Sequence, residues 1–470
     1  MKSYTRSINV NRSVEDVFFY VASFENIQDW DPGVVKAKKL TKGPVAMGSQ
    51  YELTLKFFIN EFKMIYTVTG LEKNKKIFLR GLNDSIHADA QIIFEKSSTM
   101  STKITYTVDM KFLGFMEKLE NLMEFSIKNS VEAAIQGLFN ALEPRHPVNP
   151  QVDFKTKISD SILLPSLIQF SSIGYNSKRQ GWKPISENLL NKTALVTGAS
   201  TGLGRETALQ LARLQASLIL VARSEDKLKE LKNEIQLEYG NKNVQIFTAD
   251  LSLLAETRAL AKKIKSKYKK LDILINNAGA LFNNKFVTKE GNEQSLSLLL
   301  LSPVLLTHLL QPLLYKAKLA RVVNVSSGGM YTSGLEIDDL QFANSEYNGK
   351  IAYARAKRGL VEISALMAKK WQADGILVNS MHPGWADTPG VENSMPGFYS
   401  FTKKILRDLK EGADSIVWLA AASEVQNLTG KFIFDRKPHL TSVLPGTQVN
   451  DEQRTDYYAT IMKLISGFLK

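Results

Sequence analysis

From Asn191 onward the chain repeats one grammar, a short aliphatic run followed by an amphipathic stretch. "KTALVTGAS" precedes "RETALQLARLQ", and "SLILVAR" precedes "SEDKLKELKNEIQLEYG". "VQIFTADL" and "LDILINNAG" continue the alternation. Short apolar strands separated by helices specify a parallel sheet covered on both faces. The expectation is therefore an α/β domain, a doubly wound parallel sheet, over residues 191–470. Its strands must end on one side of the fold, where chemistry gathers.

The first 145 residues obey different rules. "YTRSINVN" alternates, and "RSVEDVFFYVASFENIQDW" changes to helical spacing, with Ser13 three residues before Asp16 as in a capping box. Six strand-like runs follow, from "VVKAKKLT" to "STKITYTVDMKF", separated by turns such as "EKNKK" and "EKSST". From Phe115 to Leu142 the spacing is helical again, with Leu119, Leu122, Met123, Ile127, Val131, Ile135, Leu138 and Phe139 along one face. The order strand, helix, six strands, long helix predicts an α+β domain over residues 1–145. Residues 146–190 read as a connector: "EPRHPVNPQ" disfavours helix, and the apolar "ISDSILLPSLIQFSSIGY" suits packing between domains or lying on a membrane surface.

Composition removes several kinds of function. The chain has no cysteine, and its five histidines show no HxxxH spacing, so no metal site is expected. The net charge of +13 comes from dispersed lysines rather than a basic arm. Nucleic acid is therefore not expected as a partner, whereas peripheral contact with anionic membranes is. "MKSYTRSINVNRSVEDV" lacks an apolar signal core, so the expected location is cytoplasmic. "SLSLLLLSPVLLTHLLQPLL" (295–314) is long enough to cross a bilayer. However, it contains Pro303 and Pro312 and lies between two strands of one sheet, which predicts a buried helix.

Several motifs carry chemistry. "TGASTGLG" puts Gly198, Gly202 and Gly204 at the mouth of the first parallel strand, where backbone can approach a pyrophosphate at a helix N-terminus. The same residues spell G-x-S-x-G, the hydrolase nucleophile elbow around Ser200, although an elbow on a domain's first strand is out of place. "NNAG" (276–279) ends the fourth strand and "RVVNVSS" (321–327) the fifth. "YARAK" sets Tyr353 and Lys357 four apart on one helix face, so phenol and ammonium can address one point. A nearby cation favours phenolate and brings an ordinary phenol towards neutral working pH.

This ordered set resembles the short-chain dehydrogenase/reductase superfamily, nearest its retinol-dehydrogenase-like branch. The first domain resembles the START-like polyketide-cyclase/lipid-transport superfamily, or helix-grip fold, which implies a hydrophobic ligand. The resemblance implies Tyr353 as acid/base, Lys357 as its activator and ribose ligand, and Ser327 as substrate-orienting, with Ser326 the near alternative. It implies cofactor contacts from Gly198, Ser200, Thr201, Gly202, Leu203 and Gly204 on the first turn, and from Asp250 and Leu251 after the third strand. Asn277, Ala278 and Gly279 would join them, with Pro383, Gly384 and Thr388 near the nicotinamide.

The second strand ends in Ala222 and Arg223 rather than an acid; a guanidinium can pair with a 2′-phosphate, so the expected cofactor is NADP. Arg223 as plain solvated surface and Asp250 as a helix N-cap are the competing readings. The implied activity is carbonyl/alcohol interconversion on a small lipophilic substrate, with homodimer pairing through the apolar helix. One departure weakens it: the family Asn eight residues before Thr307 is Leu299, which cannot hydrogen-bond. The alternative is therefore a protein that binds NADPH and lipid with weak or no catalysis.

Overall fold

The computed structural model describes residues 2–57, 60–114, 120–143, 147–161 and 168–469, and the chain divides into two compact units.

The first unit is built on seven antiparallel strands: β1 (Lys2–Val10), β2 (Val34–Lys39), β3 (Gln50–Phe57), β4 (Asn60–Glu72), β5 (Lys76–Leu82), β6 (Ile86–Ser98) and β7 (Ser101–Phe112). They lie in the order β1-β7-β6-β5-β4-β3-β2. Strict alternation along β1 and β6 turns one face inward, as a period of two requires. Onto that face packs the helix Glu120–Leu142, whose Val131, Ile135 and Leu138 join Leu79, Ile92 and Ile104 in one apolar core. Gly137 lets this helix touch the Trp30 carbonyl, because a Cβ there would sit 1.9 Å from that oxygen. Ser13 caps the first helix, Val14–Ala22, by accepting from Asp16 N at 3.2 Å. The order and all six strand runs are as the sequence indicates, and the unit is an α+β, sheet-around-helix fold. Of the expected apolar face, Leu119, Leu122 and Met123 lie outside the residues whose side chains are described.

The second unit carries an eight-stranded sheet: β8 (Thr193–Thr197), β9 (Ser217–Ala222), β10 (Val244–Thr248), β11 (Ile273–Asn276), β12 (Ala320–Val325), β13 (Ile376–Met381), β14 (Phe432–Phe434) and β15 (Lys437–His439). The order is β10-β9-β8-β11-β12-β13-β14-β15, parallel except for the closing β14–β15 hairpin. The chain winds outward from β8 to β10, then returns to β11 and winds the other way. The point of reversal lies between β8 and β11, where open α/β sheets bind ligands at the strands' carboxyl ends.

The apolar stretch forms the helix Gln294–Tyr315, with a π-helical turn at Ser297–Leu301. It is long and apolar enough to cross a membrane, yet its apolar window is 72% buried. Leu299, Leu300, Leu301, Leu305 and Leu310 sit in the core beneath β11 and β12. The C-terminal helix Asp451–Ile465 docks on that core through Tyr457, Ile461 and Ile465, and Tyr458 Oη meets His308 Nε2 at 2.9 Å.

The connector's described residues 147–161 and 168–181 pack within this second unit. Asp160 holds His439 Nδ1 at 2.7 Å and the Leu440 amide at 2.9 Å. Arg407, 1% exposed, donates to the carbonyls of Gln169, Phe170 and Ser171 and pairs with buried Asp435.

Candidate functional site

Two turns meet at the reversal point. Beyond β8 the chain turns at Gly198 (φ +66°), where a Cβ would lie 2.8 Å from Ala278 Cα. Gly202 (φ +57°) opens the helix Gly202–Arg213. Thr197 Oγ1 accepts from the amides of Asn277 and Ala278, both at 3.0 Å, and Asn277 Nδ2 donates to the Thr197 carbonyl at 2.9 Å. The "NNAG" turn is thereby fixed against the glycine-rich turn. Thr307, Asn324 and Ser364 extend the lock inward through buried bonds around Asn276, which stiffens the floor of the site.

Above the turns lies a cavity of about 670 Å³. Every residue expected from the sequence lines it except Gly204, which is buried behind Gly198 with its Cβ position 2.3 Å from the Gly198 carbonyl. Gly204 thus allows close packing of helix on strand. Arg223 is exposed at the end of β9 and faces the cavity, with no carboxylate paired to it among the described residues. Asp250 is not a helix N-cap. Its Oδ1 accepts from Ser252 N (2.9 Å) and Ser252 Oγ (2.8 Å), and the helix Leu254–Lys267 is capped instead by Glu290, which takes the amides of Leu254 and Ala255. A cap from a carboxylate 36 residues away in sequence has no local signature. Thr388 caps the short helix Pro389–Ser394 and sits 3.6 Å from the Cβ position of Gly202.

The reactive corner is formed by β12 and the helix Gly349–Trp371. The serine pair divides cleanly: Ser326 is 2% exposed and donates to the Lys357 carbonyl, whereas Ser327 lines the cavity with Tyr353 and accepts from Gly329 N at 3.2 Å. Burial pushes the Tyr353 phenol up, and Ser327 holds it partly down. Burial lowers Lys357 to about 8, because a desolvated ammonium is disfavoured. Its Nζ donates to the Val325 carbonyl at 2.6 Å and lies 5.8 Å from the Tyr353 ring centre. The ammonium is turned to the Val325 carbonyl, and the counterweight to burial at Tyr353 is Ser327.

Leu299 is fully buried in the π-helical turn, with Cδ2 3.0 Å from a Cβ position on Gly279 that is itself 3.6 Å from Lys357 Nζ. An apolar methyl and the ammonium therefore both approach Gly279. The irregular turn forms here without an asparagine.

Other residues lining the site carry no sequence signal of their own. His382 is 3% exposed, accepts from Gly328 N through Nδ1 at 2.9 Å, and is held well below its ordinary pKa by burial. It is neutral, and among the described residues no histidine or carboxylate is hydrogen-bonded to Ser200, so the nucleophile-elbow reading has no base. Trp385 and Phe398, stacked edge to face at 5.2 Å, form an aromatic wall. Among the described residues no cluster of three or more His, Asp or Glu is placed to hold a metal ion.

Two family models match separate parts of the chain. Residues 192–397 match the short chain dehydrogenase family, and residues 1–143 match the polyketide cyclase/dehydrase and lipid transport family. Dehydrogenase/reductase SDR family member 12 of Homo sapiens is 35% identical over 294 residues, 61% of this chain and 92% of that protein. Retinol dehydrogenase 13 of Homo sapiens is 32% identical over 280 residues, 57% of this chain and 83% of that protein. A short chain dehydrogenase from Escherichia coli CFT073, complexed with NADPH, is similar at 25% identity and TM-score 0.45, covering 54% of this chain and 100% of that one. The glycine-rich turn at the reversal point, the serine on the fifth parallel strand and the Tyr–Lys pair on the following helix thus have their counterpart in a known lineage, and the chain belongs to the short-chain dehydrogenase family.

Proposed function

We propose that the second unit is an NADP(H)-dependent oxidoreductase interconverting a carbonyl and an alcohol on a lipophilic substrate, and that the first unit binds a hydrophobic ligand. The observation that carries this is that Ser327, Tyr353 and Lys357 line one cavity together with the glycine-rich turn. A bound nicotinamide supplies or accepts the hydride. Ser327 Oγ and Tyr353 Oη converge on the substrate oxygen, Tyr353 gives it the proton during reduction, and Lys357 steadies the phenolate that remains. Leu298, Trp385 and Phe398 give that end of the cavity an apolar lining suited to a lipophilic chain. NADPH consumption with a panel of retinoid, steroid and fatty aldehydes tests the reading. Absence of turnover across the panel in both directions sinks it.

The cofactor preference rests on Arg223, a cation facing the cavity at the position where an acid would hold ribose hydroxyls. Arg223→Asp is expected to lower kcat/KM for NADPH roughly 10- to 100-fold, the worth of one or two charge-assisted hydrogen bonds, while sparing NADH. Equal losses with both cofactors would count against the assignment.

A second reading, binding of NADPH and lipid with little catalysis, is favoured by Leu299 alone. Leu299→Asn is expected to raise kcat several-fold, up to about tenfold, by giving Lys357 a polar neighbour within the turn that already exists. Vigorous aldehyde reduction that this substitution leaves unchanged would eliminate the binding-only reading.

A further inference from the structure

The cavity opens beside an apolar face of the second unit. Phe398 lines the cavity, and in the same short helix, Pro396–Thr402, Phe401 is 90% exposed. Ser172 Oγ donates to the Ile405 carbonyl at 3.2 Å, which sets the connector helix Ser172–Arg179 alongside with Ile173 exposed. Ser171 bonds back to the carbonyl of Ile168, also exposed, and Gln169 Nε2 reaches Ser159 Oγ at 2.6 Å on the helix Phe154–Ser161. That helix turns Thr156 and Asp160 inward and leaves Phe154 and Ile158, one turn apart, in water. Five large apolar side chains on adjoining elements therefore face solvent. Lys155, Lys403 and Lys404 are exposed among them, while the nearby carboxylates of Asp153 and Asp408 are engaged as helix caps. Asp387, beside Tyr399 of the helix Pro396–Thr402, and Glu392 are further exposed acids on this side among the described residues.

We propose that this face docks on an anionic lipid bilayer and sets the cavity mouth at its surface. Aromatic and aliphatic tips enter the headgroup boundary, and each lysine near an anionic leaflet strengthens binding on the order of fivefold. A second copy of the chain fits less well, since a two-fold contact would set this lysine-bearing face against a copy of itself. Docking itself does not depend on the reductase reading; delivery of a bilayer-dissolved substrate does.

The test is flotation of the full chain with phosphatidylcholine vesicles, with and without about 30% phosphatidylserine. Binding is expected with phosphatidylserine and is expected to weaken at high salt. Phe401→Ser with Ile168→Ser, and separately Lys403→Glu with Lys404→Glu, are expected to weaken it about tenfold or more, with turnover of a short soluble aldehyde unchanged. Failure of the wild type to bind, wild-type binding by both variants, or a lipid-free dimer that the Phe401 variant abolishes would each overturn the proposal. If no aldehyde is reduced by any form, the reductase reading falls while the flotation result still decides docking.

Discussion

Tyr353→Phe is expected to lower kcat for NADPH-linked carbonyl reduction by about 10²- to 10⁴-fold, the usual worth of a positioned proton donor. The substitution removes one oxygen from a partly buried ring, leaving Ser327 and the wall of the helix in place, so KM for NADPH is expected to stay within about threefold. A variant that reduces aldehydes as fast as wild type would dismiss Tyr353 as the acid. The pH profile carries independent information. Burial raises Tyr353, so the phenol stays protonated through the neutral range and serves reduction as a ready acid. Lys357, brought down to about 8, loses its charge as pH rises through that value, and the reductive kcat is expected to fall above it. The same group acts on stability with the opposite slope. Its folded pKa of about 8 lies below the ordinary 10.5, so between the two the unfolded chain binds more protons, and raising pH there stabilises the fold. A decline in rate without a decline in stability therefore separates loss of the ammonium from unfolding.

How much of this was written in the sequence depends on whether the signal was local. Gly198 and Gly202 announce a turn because their backbone angles are costly for other residues, and Tyr353 and Lys357 announce one helix face because the α-helical repeat is fixed. Continuous apolar strands such as "ALVT" admit only a sheet covered on both faces. The burial of Gln294–Tyr315 was legible for a topological reason, since it joins two strands of that sheet. What was not legible depends on partners far along the chain. Nothing near Asp250 reveals that Glu290 caps the neighbouring helix, and nothing near His382 reveals that its ring takes the Gly328 amide. The direction of the Lys357 ammonium was likewise unreadable, because spacing places a side chain on a face but does not choose between a phenol and a carbonyl for it.

The connector shows the same limit on a larger scale, and it leads to the largest stability effect expected in the molecule. Asp435→Ala is expected to destabilise the second unit by about 3–5 kcal/mol, the range for breaking a buried ion pair by removing one partner. Asp435 receives Arg407 at 2.7 and 3.1 Å and Lys178 at 3.0 Å, and the Arg407 and Asp435 side chains are 2% and 1% exposed. Without the carboxylate, a desolvated guanidinium would keep only carbonyls and the faces of Tyr175 and Phe434, none of which carries a charge. Arg407 is also what ties Gln169, Phe170 and Ser171 to Pro383, next to the Trp385 wall, so the loss should reach the cavity. Phe170 packs against His382 and Trp385 at 4.6 and 5.9 Å, and loosening it is expected to raise KM for substrate as well as lower Tm. The hairpin turn adds its own term, because Asp435 sits at φ +48°, where alanine is strained. Asp435→Asn separates the two causes: asparagine is at home in that conformation and keeps acceptor capacity, but carries no charge. If the ion pair dominates, the asparagine variant is expected to show most of the loss, with Tm lowered by roughly 6–20 °C for the alanine form. A melting temperature within about 2 °C of wild type for both would mean that water or relaxation rescues Arg407, and that the connector is held by its aromatic packing instead.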